Sequence, residues 1–165
     1  MRRVVVSMSM SMDGCTQGPD GRFDWSEPDP EVFALATDEV RGLSAHLLGR
    51  RLYEAMRYWE LPDVAATLDG PQTEFARTWN ALPKIVFSRT LTAVEGSYRL
   101  AAGGLVEEVE RLRAEPGEGD IAVGGPVLAA EAAALGLVEE PPGRPGGVSS
   151  CATGCGGAAE RASPA

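Results

Sequence analysis

Residues 120–123, followed by Gly124, Gly125 and Pro126, have the types and spacing of a ligand-binding turn. The first four residues have the composition of a strand, and paired glycines allow a tight turn and a close approach of a ligand to the backbone. Pro126 suits the first turn of the helix expected over 127–135. Free N–H groups at that helix start would favour an anion such as phosphate. A plain strand-to-helix turn that binds nothing fits the same pattern, and both interpretations stay open.

A glycine and two arginines follow another expected strand. Gly49 lets the chain turn into a helix, and Arg50 and Arg51 occupy the first turn of that helix. Guanidinium groups beside free N–H groups suit a pyrophosphate or a 2′-phosphate. Cations at a helix N-terminus oppose the helix dipole, so these arginines need a reason other than helix stability. The alternative is that both are solvated residues at a helix start.

Two further loops follow expected strands. Ser88, Arg89 and Thr90 come directly after a buried strand and supply two hydroxyls and a guanidinium, which suit phosphate and ribose. Asp13 follows the first strand, and Trp25 lies later in the same loop. Because open α/β sheets bind ligands outside the carboxyl ends of their strands, we expect these loops to line one cleft. An ordinary surface turn and an ordinary Asp-Gly turn remain the alternatives.

Strands and helices alternate along the part of the chain that would position these loops. We expect strands at 3–10, 47–48, 84–87 and 119–123, and helices over 30–47, 50–59, 72–82, 105–114 and 127–135. This alternation predicts an α/β fold of three layers, with a mostly parallel twisted sheet between helices. Residues 1–140 form the expected domain. The Pro/Gly/Ala-rich tail over 141–165 cannot bury enough apolar surface to offset its ordering entropy, so we expect it to be disordered.

Composition excludes several classes of function. The 165 residues carry a net charge of −9, which argues against nonspecific nucleic-acid binding but not against a small anionic ligand. No apolar run approaches the roughly 20 residues that span a membrane, so we expect a cytoplasmic protein. Three cysteines and a single histidine, His46, give neither a disulfide framework nor a metal site. His46 could donate a proton, although a half-buried structural histidine before a strand is the simpler interpretation.

The order of the motifs is more specific than any one of them. S-x-D-G after the first strand, then L-G-R-R-x-Y-E, V-F-S-R-T and I-x-V-G-G before a helix resembles the dihydrofolate reductase-like superfamily. The sequence is most similar to the C-terminal reductase domain of the bacterial bifunctional riboflavin deaminase–reductase and its stand-alone relatives, over about residues 3–140. The resemblance implies an NADPH-dependent reductase that transfers a hydride to a small heterocyclic or ribosylamino-pyrimidine substrate.

The resemblance also implies roles for single residues. The residues that it places against NADPH are Gly49, Arg50, Arg51, Ser88, Arg89, Thr90, Gly124 and Gly125. Asp13 is our first candidate for the catalytic polar group, and Trp25 would lie near the nicotinamide and the substrate. Asp29, Glu31 and Asp38 are weaker candidates, because carboxylates at such positions more often cap helices.

Two departures from the family pattern bear on activity. Leu52 stands where many relatives have a threonine, whose hydroxyl can bind phosphate. The family continues after residue 140 with apolar strands, whereas this sequence continues with its tail, as a truncation or frameshift would produce. Three interpretations stay open: an active reductase that could dimerise over the open sheet edge, a dinucleotide-binding module without turnover, and an inactive relative.

Overall fold

The computed structural model describes residues 1–6, 8 and 30–139, without the side chains of Pro30 and Val32. Within them, the strands are β1 Val4–Val6, β2 Leu43–Gly49, β3 Lys84–Phe87, β4 Tyr98–Leu100 and β5 Asp120–Gly124. The helices are α1 Pro30–Arg41, α2 Arg50–Met56, α3 Pro62–Ala65, α4 Gly70–Ala81, α5 Leu105–Ala114 and α6 Pro126–Ala134, and a 3₁₀ turn at Arg57–Glu60 follows α2. None of these helices is long and apolar enough to cross a membrane.

The strands form one parallel sheet in the order β1-β5-β2-β3-β4. The connection that leaves β5 runs through α6 to Val138, which bridges Val4 on the outer side of β1. The connection that leaves β2 runs the other way, to β3. The chain therefore diverges from the carboxyl ends of two neighbouring strands, and ligands of open parallel sheets bind in the crevice at such a point.

Helices cover both faces of the sheet. One face packs against α1, α2 and α4, through Phe33, Val40, Leu48, Tyr53, Phe75, Trp79 and Val86. The other face packs against α5 and α6, through Leu47, Ile85, Leu105, Val109, Ile121, Val123, Leu128 and Ala132. Successive residues of β2 and β3 contribute to opposite clusters, as the period of two in a strand requires. The predicted three-layer α/β fold with a parallel sheet is confirmed.

Two sequence-based expectations are wrong. The helix expected over 30–47 ends at Arg41, and Gly42 closes it by donating its N–H toward the carbonyls of Asp38 and Glu39. The next seven residues form the central strand β2, which pairs with β3 on one side and β5 on the other. Residues 98–100, for which we expected no element, form the edge strand β4. The expected tail over 141–165 lies outside the described residues.

Candidate functional site

Three of the predicted loops meet at the carboxyl edge of β5, β2 and β3. The register places Leu48 beside Gly124 and Gly49 beside Phe87. A Cβ built on Gly125 would lie 3.9 Å from the backbone nitrogen of Gly49, so the two glycine turns are adjacent. The structure thus brings all eight residues of the predicted cofactor set to one edge of the sheet. Their binding role stays a prediction.

The two glycines of the β5–α6 turn serve different purposes. Gly124 is buried, and a Cβ there would clash with Leu52 Cδ2 and with His46 Cε1, the latter at 2.5 Å. Gly125 has a φ of +95°, which disfavours any L side chain, and the space beside it is open to the Gly49 backbone. Gly124 is therefore required by packing, whereas Gly125 leaves the start of α6 accessible. Leu52, the residue that departs from the pattern of the resembled family, takes part in that packing.

Arg50 joins the two walls of the crevice. Its Nε donates to Glu54 Oε1 at 2.7 Å on the same helix, and its Nη1 donates to Thr90 Oγ1 at 2.8 Å in the loop after β3. Ser88 Oγ shapes that loop, because it accepts the backbone N–H groups of Thr90 at 3.2 Å and Leu91 at 3.1 Å. Ser88 is thus already engaged in the turn, and Thr90 lies within reach of the guanidinium.

Arg51 and Arg89 are two cations at this edge that are unpaired among the described residues. Both are exposed, and neither forms a hydrogen bond or an ion pair with another residue of the described ranges. The helix α6 that starts at the same edge has Gly125 as its N-cap and no side-chain cap, whereas α4 is capped by Asp69. Free backbone donors and two unpaired guanidinium groups together can bind a phosphorylated ligand.

His46 lies in β2 rather than before a strand, below the crevice. Its ring is half-buried, with its centroid 5.1 Å from that of Trp79, and its Nδ1 lies 3.2 Å from the carbonyl oxygen of Leu47. Burial, with a smaller contribution from the positive charge of Lys84, lowers the pKa of His46 from 6.5 to about 4. The imidazole is therefore neutral at pH 7, which suits a hydrogen-bonding role better than that of a charged proton donor.

A buried lysine with a carboxylate and an aromatic partner lies at the amino end of β3, and the sequence alone did not predict it. Lys84 is the only lysine of the chain and is 1% exposed. Its Nζ donates to the Trp79 carbonyl at 2.7 Å, lies 3.5 Å from Glu60 Oε1 and sits 4.8 Å from the centre of the Tyr98 ring. Burial lowers the pKa of Lys84, and Glu60 opposes that shift. No short-range pattern around residue 84 signals this cluster, because its partners come from three other elements.

The remaining candidates separate clearly. Asp13, Trp25 and Asp29 lie outside the described residues, as do the three cysteines. Asp38 pairs with Arg41 at the end of α1, which leads into the amino end of β2 and is therefore remote from the crevice. Glu31 lies in the first turn of α1. Within the described ranges, no three His, Cys, Asp or Glu side chains are grouped as a metal site would need.

Known proteins resemble this chain in sequence and in fold. No protein-family model matches it. YyaP, an uncharacterized protein of Bacillus subtilis (strain 168), is 27% identical over 143 residues, which cover 84% of this chain and 71% of the relative. The crystal structure of a "Putative riboflavin biosynthesis protein" from Shewanella sp. PV-4 superposes with a TM-score of 0.55 and 22% identity, over 84% of this chain and 72% of that one. At this identity the structural likeness establishes the fold, and the chemistry must be argued from the residues.

Proposed function

We propose that the chain is an NADPH-dependent reductase that holds the phosphates of its cofactor at the crevice between β5 and β2. The substrate would be a small heterocycle, either a ribosylamino-pyrimidine of riboflavin biosynthesis or a pterin. One observation carries the proposal: the adjacent turns at Gly49 and Gly125 lie at the point where the chain diverges, beside the unpaired cations Arg51 and Arg89. The name of the Shewanella structure points to the same pathway.

The residues at the crevice fit a phosphorylated dinucleotide. Gly125 has no side chain to cover the start of α6, where backbone N–H groups can meet a phosphate. Arg51 and Arg89 can add bidentate hydrogen bonds, and a 2′-phosphate would give them more to bind than a free ribose hydroxyl. The chain has a net charge of −9, so a local cluster of cations is the part of the surface to which an anion is drawn.

NADPH, when bound, would supply the hydride, and the protein supplies position and a proton source. Arg50, held by Glu54 and Thr90, would fix the distance between the loops after β2 and β3. Asp13 and Trp25 follow β1 in the sequence, and we propose that they serve the substrate side.

The first experiment compares NADPH with NADH in thermal unfolding and in fluorescence titration. A ligand that binds only the native state stabilises it by about 2.7 kcal/mol at about 100 times its dissociation constant. We expect NADPH to raise Tm more than NADH, and a pyrimidine or pterin substrate to oxidise the bound cofactor. If neither nucleotide raises Tm, the proposal fails.

A dinucleotide-binding module without turnover is the second candidate, and one observation favours it. The Glu139 N–H donates to the Val4 carbonyl at 2.8 Å, so the chain after α6 begins to pair with β1. In continued parallel register residue 141 would donate next, to Val6, but Pro141 has no N–H. Pro141 therefore departs from the apolar strand that the resemblance implies after residue 140. Binding of NADPH without its oxidation across the substrate panel would favour this candidate, and a non-cooperative melt would indicate an inactive relative.

We also propose that a homodimer could cover this edge of β1, and that the protein acts in the cytoplasm. An unpaired strand edge invites pairing with another chain. Sedimentation at several protein concentrations tests the dimer, and a monomer at every concentration would contradict it.

A further inference from the structure

We propose that His46 is a ligand-positioning residue whose Nε2 accepts a hydrogen bond from an N–H group of an uncharged nitrogen heterocycle in the crevice. The inference rests on the proposed function of that crevice. It concerns a different part of the ligand from the phosphates, which the arginines and the start of α6 would hold.

His46 lies on β2 below the crevice, and its ring reaches toward the end of β5. His46 precedes Gly49 by three residues of β2, so its backbone lies about 10 Å from the turn at which the phosphates would bind. A Cβ on Gly124 would lie 2.5 Å from His46 Cε1 and 3.4 Å from its Nε2. The ring thus extends from β2 to the position beneath the last residue of β5. The ring therefore lies beside the β5–α6 turn on one wall of the crevice, and we place the ring of a bound ligand there rather than its phosphates.

The tautomer of His46 leaves Nε2 as a hydrogen-bond acceptor. A carbonyl oxygen can only accept a hydrogen bond, so the 3.2 Å contact with the Leu47 carbonyl places the hydrogen of neutral imidazole on Nδ1. The lowered pKa, about 4, keeps the ring neutral at pH 7. Nε2 then carries a lone pair and is an acceptor. The edge of Trp79, with ring centroids 5.1 Å apart, restricts rotation of the ring.

The acceptor on His46 is unmatched among the described residues, whereas the polar groups of the neighbouring Trp79 and Lys84 side chains are matched. Trp79 Nε1 donates to the Tyr98 hydroxyl at 3.1 Å, and Lys84 Nζ donates to the Trp79 carbonyl. His46 Nε2 has no hydrogen-bond partner among residues 1–6, 8 and 30–139, although the ring is half-buried. Because Nε2 is not fully buried, its lone pair is accessible, and a ligand that brings an N–H there gains a hydrogen bond.

Charge selects the type of donor. The positive charge of Lys84 acts on His46 and would disfavour a cationic group at the same place. An uncharged N–H group can donate to Nε2 and brings no positive charge near Lys84. Such groups occur in the carboxamide of nicotinamide and in the amino or ring N–H of a pyrimidine or pterin. The shared chemistry is an amide-like or amino N–H on an uncharged ring, and the experiment separates the two sources.

The first test uses the fact that His46 is the only histidine. In histidine-labelled protein, long-range ¹H–¹⁵N spectra report both ring nitrogens of this residue without assignment. We expect Nδ1–H in the free protein, and a shift of Nε2 toward a hydrogen-bonded value with a ring-bearing ligand. The probes are NADPH, 2′-phospho-ADP-ribose, which lacks nicotinamide, and 2,4-diaminopyrimidine, the last titrated at alkaline pH, where its ring is uncharged.

The probes have distinct outcomes. A shift with NADPH but not with 2′-phospho-ADP-ribose supports the inference with nicotinamide as the donor, and a shift with diaminopyrimidine supports it with the substrate as the donor. If NADPH raises Tm but none of the three probes moves Nε2, the inference is overturned and the proposed function stands. If NADPH does not raise Tm, the proposed function fails. If, in addition, diaminopyrimidine does not shift the Nε2 resonance, the inference is overturned as well.

Two substitutions give a second readout. His46→Phe keeps a ring against Trp79 and Leu52 but removes the acceptor, and His46→Gln restores an amide that can accept. We expect His46→Phe to weaken binding of the N–H-bearing ligand by about three- to tenfold, with 2′-phospho-ADP-ribose unaffected and with His46→Gln recovering most of the loss. A purely structural role would lower Tm and weaken both ligands together. That result, or an unchanged affinity in His46→Phe, would contradict the inference.

Discussion

The two ends of β3 hold positive charge in opposite ways. At the amino end, Lys84 is sealed from water and matched by the Glu60 carboxylate and the Tyr98 ring. At the carboxyl end, Arg51 and Arg89 are exposed and unpaired among the described residues. A buried cation must be matched to be tolerated, whereas an exposed cation is free to meet a ligand. Charge at the amino end therefore serves stability, and charge at the carboxyl end is available for binding.

The largest effect is expected for Lys84→Ala, which tests whether the buried cation contributes to stability. Removing one member of a buried charged cluster leaves Glu60 without its cation and a cavity beneath Trp79, so we expect a loss of about 3–5 kcal/mol in the free energy of unfolding. Chemical denaturation measures it. The matched control, Arg89→Ala, removes a cation from the other end of the same strand and should change stability by less than about 0.5 kcal/mol. Equal losses in the two variants would abolish the distinction.

Acid should act next most strongly, through His46. The folded-state pKa of about 4 lies below the ordinary 6.5, so between these values the unfolded chain binds the proton more readily. The stabilisation is complete above about pH 6.5 and is lost as the pH falls toward 4, with a total of roughly 3 kcal/mol. Denaturation at pH 7 and at pH 4.5 should therefore show a smaller acid loss in His46→Gln than in the unmodified chain. Parallel pH profiles for the two proteins would contradict the assignment.

The exposed end is tested by ligand affinity rather than stability. Arg51→Ala and Arg89→Ala should each weaken NADPH binding about tenfold or more, because a charge-assisted hydrogen bond contributes about 1.5–3 kcal/mol. Binding of NADH should fall less if these side chains contact the 2′-phosphate. Arg77→Ala is the matched control, since Arg77 is an exposed arginine on α4 that pairs with Glu74. A loss of affinity in Arg77→Ala as large as that in Arg51→Ala would point to general charge rather than to a site.

The smallest expected effect concerns Glu54→Gln, which tests how the pairing of Arg50 with Glu54 affects NADPH binding. Arg50 is partly neutralised by Glu54, unlike Arg51, so Glu54→Gln should tighten NADPH binding by about two- to threefold. Stability should fall by only about 0.3–0.5 kcal/mol, the usual contribution of an exposed pair of this spacing. Glu74→Gln makes the same change of charge on α4 and should leave affinity unchanged. Weaker binding in Glu54→Gln would show that Glu54 aligns Arg50 more than it screens it.

Local patterns sufficed to predict the carboxyl edge of the sheet. Gly49, Ser88 and Gly125 each follow a strand directly, and parallel strands bring their carboxyl ends together whatever the details of packing. The layer arrangement followed in the same way from the alternation of strand and helix. These features depend on residues that are neighbours in sequence, so one sequence is enough to predict them.

The errors concern residues whose state depends on distant partners. Leu43 and Leu47 continue the apolar spacing of α1, yet pairing with β3 and β5 places them in β2. The seal around Lys84 combines Glu60, Trp79 and Tyr98, and no spacing relates these positions. The glycine pair likewise reads as one motif, although packing by His46 and Leu52 requires the first glycine and backbone conformation requires the second.

The pairing of β1 with β5 has a consequence for biosynthesis. Arg3 binds Asp120 through two hydrogen bonds, of 3.0 and 2.7 Å, across 117 residues of chain. β1 can therefore pair only after β5 has been translated, whereas β2 and β3 can associate much earlier. Since β5 is also one wall of the crevice, a nascent chain arrested before residue 120 would carry Arg51 and Arg89 but only the β2 side of the crevice.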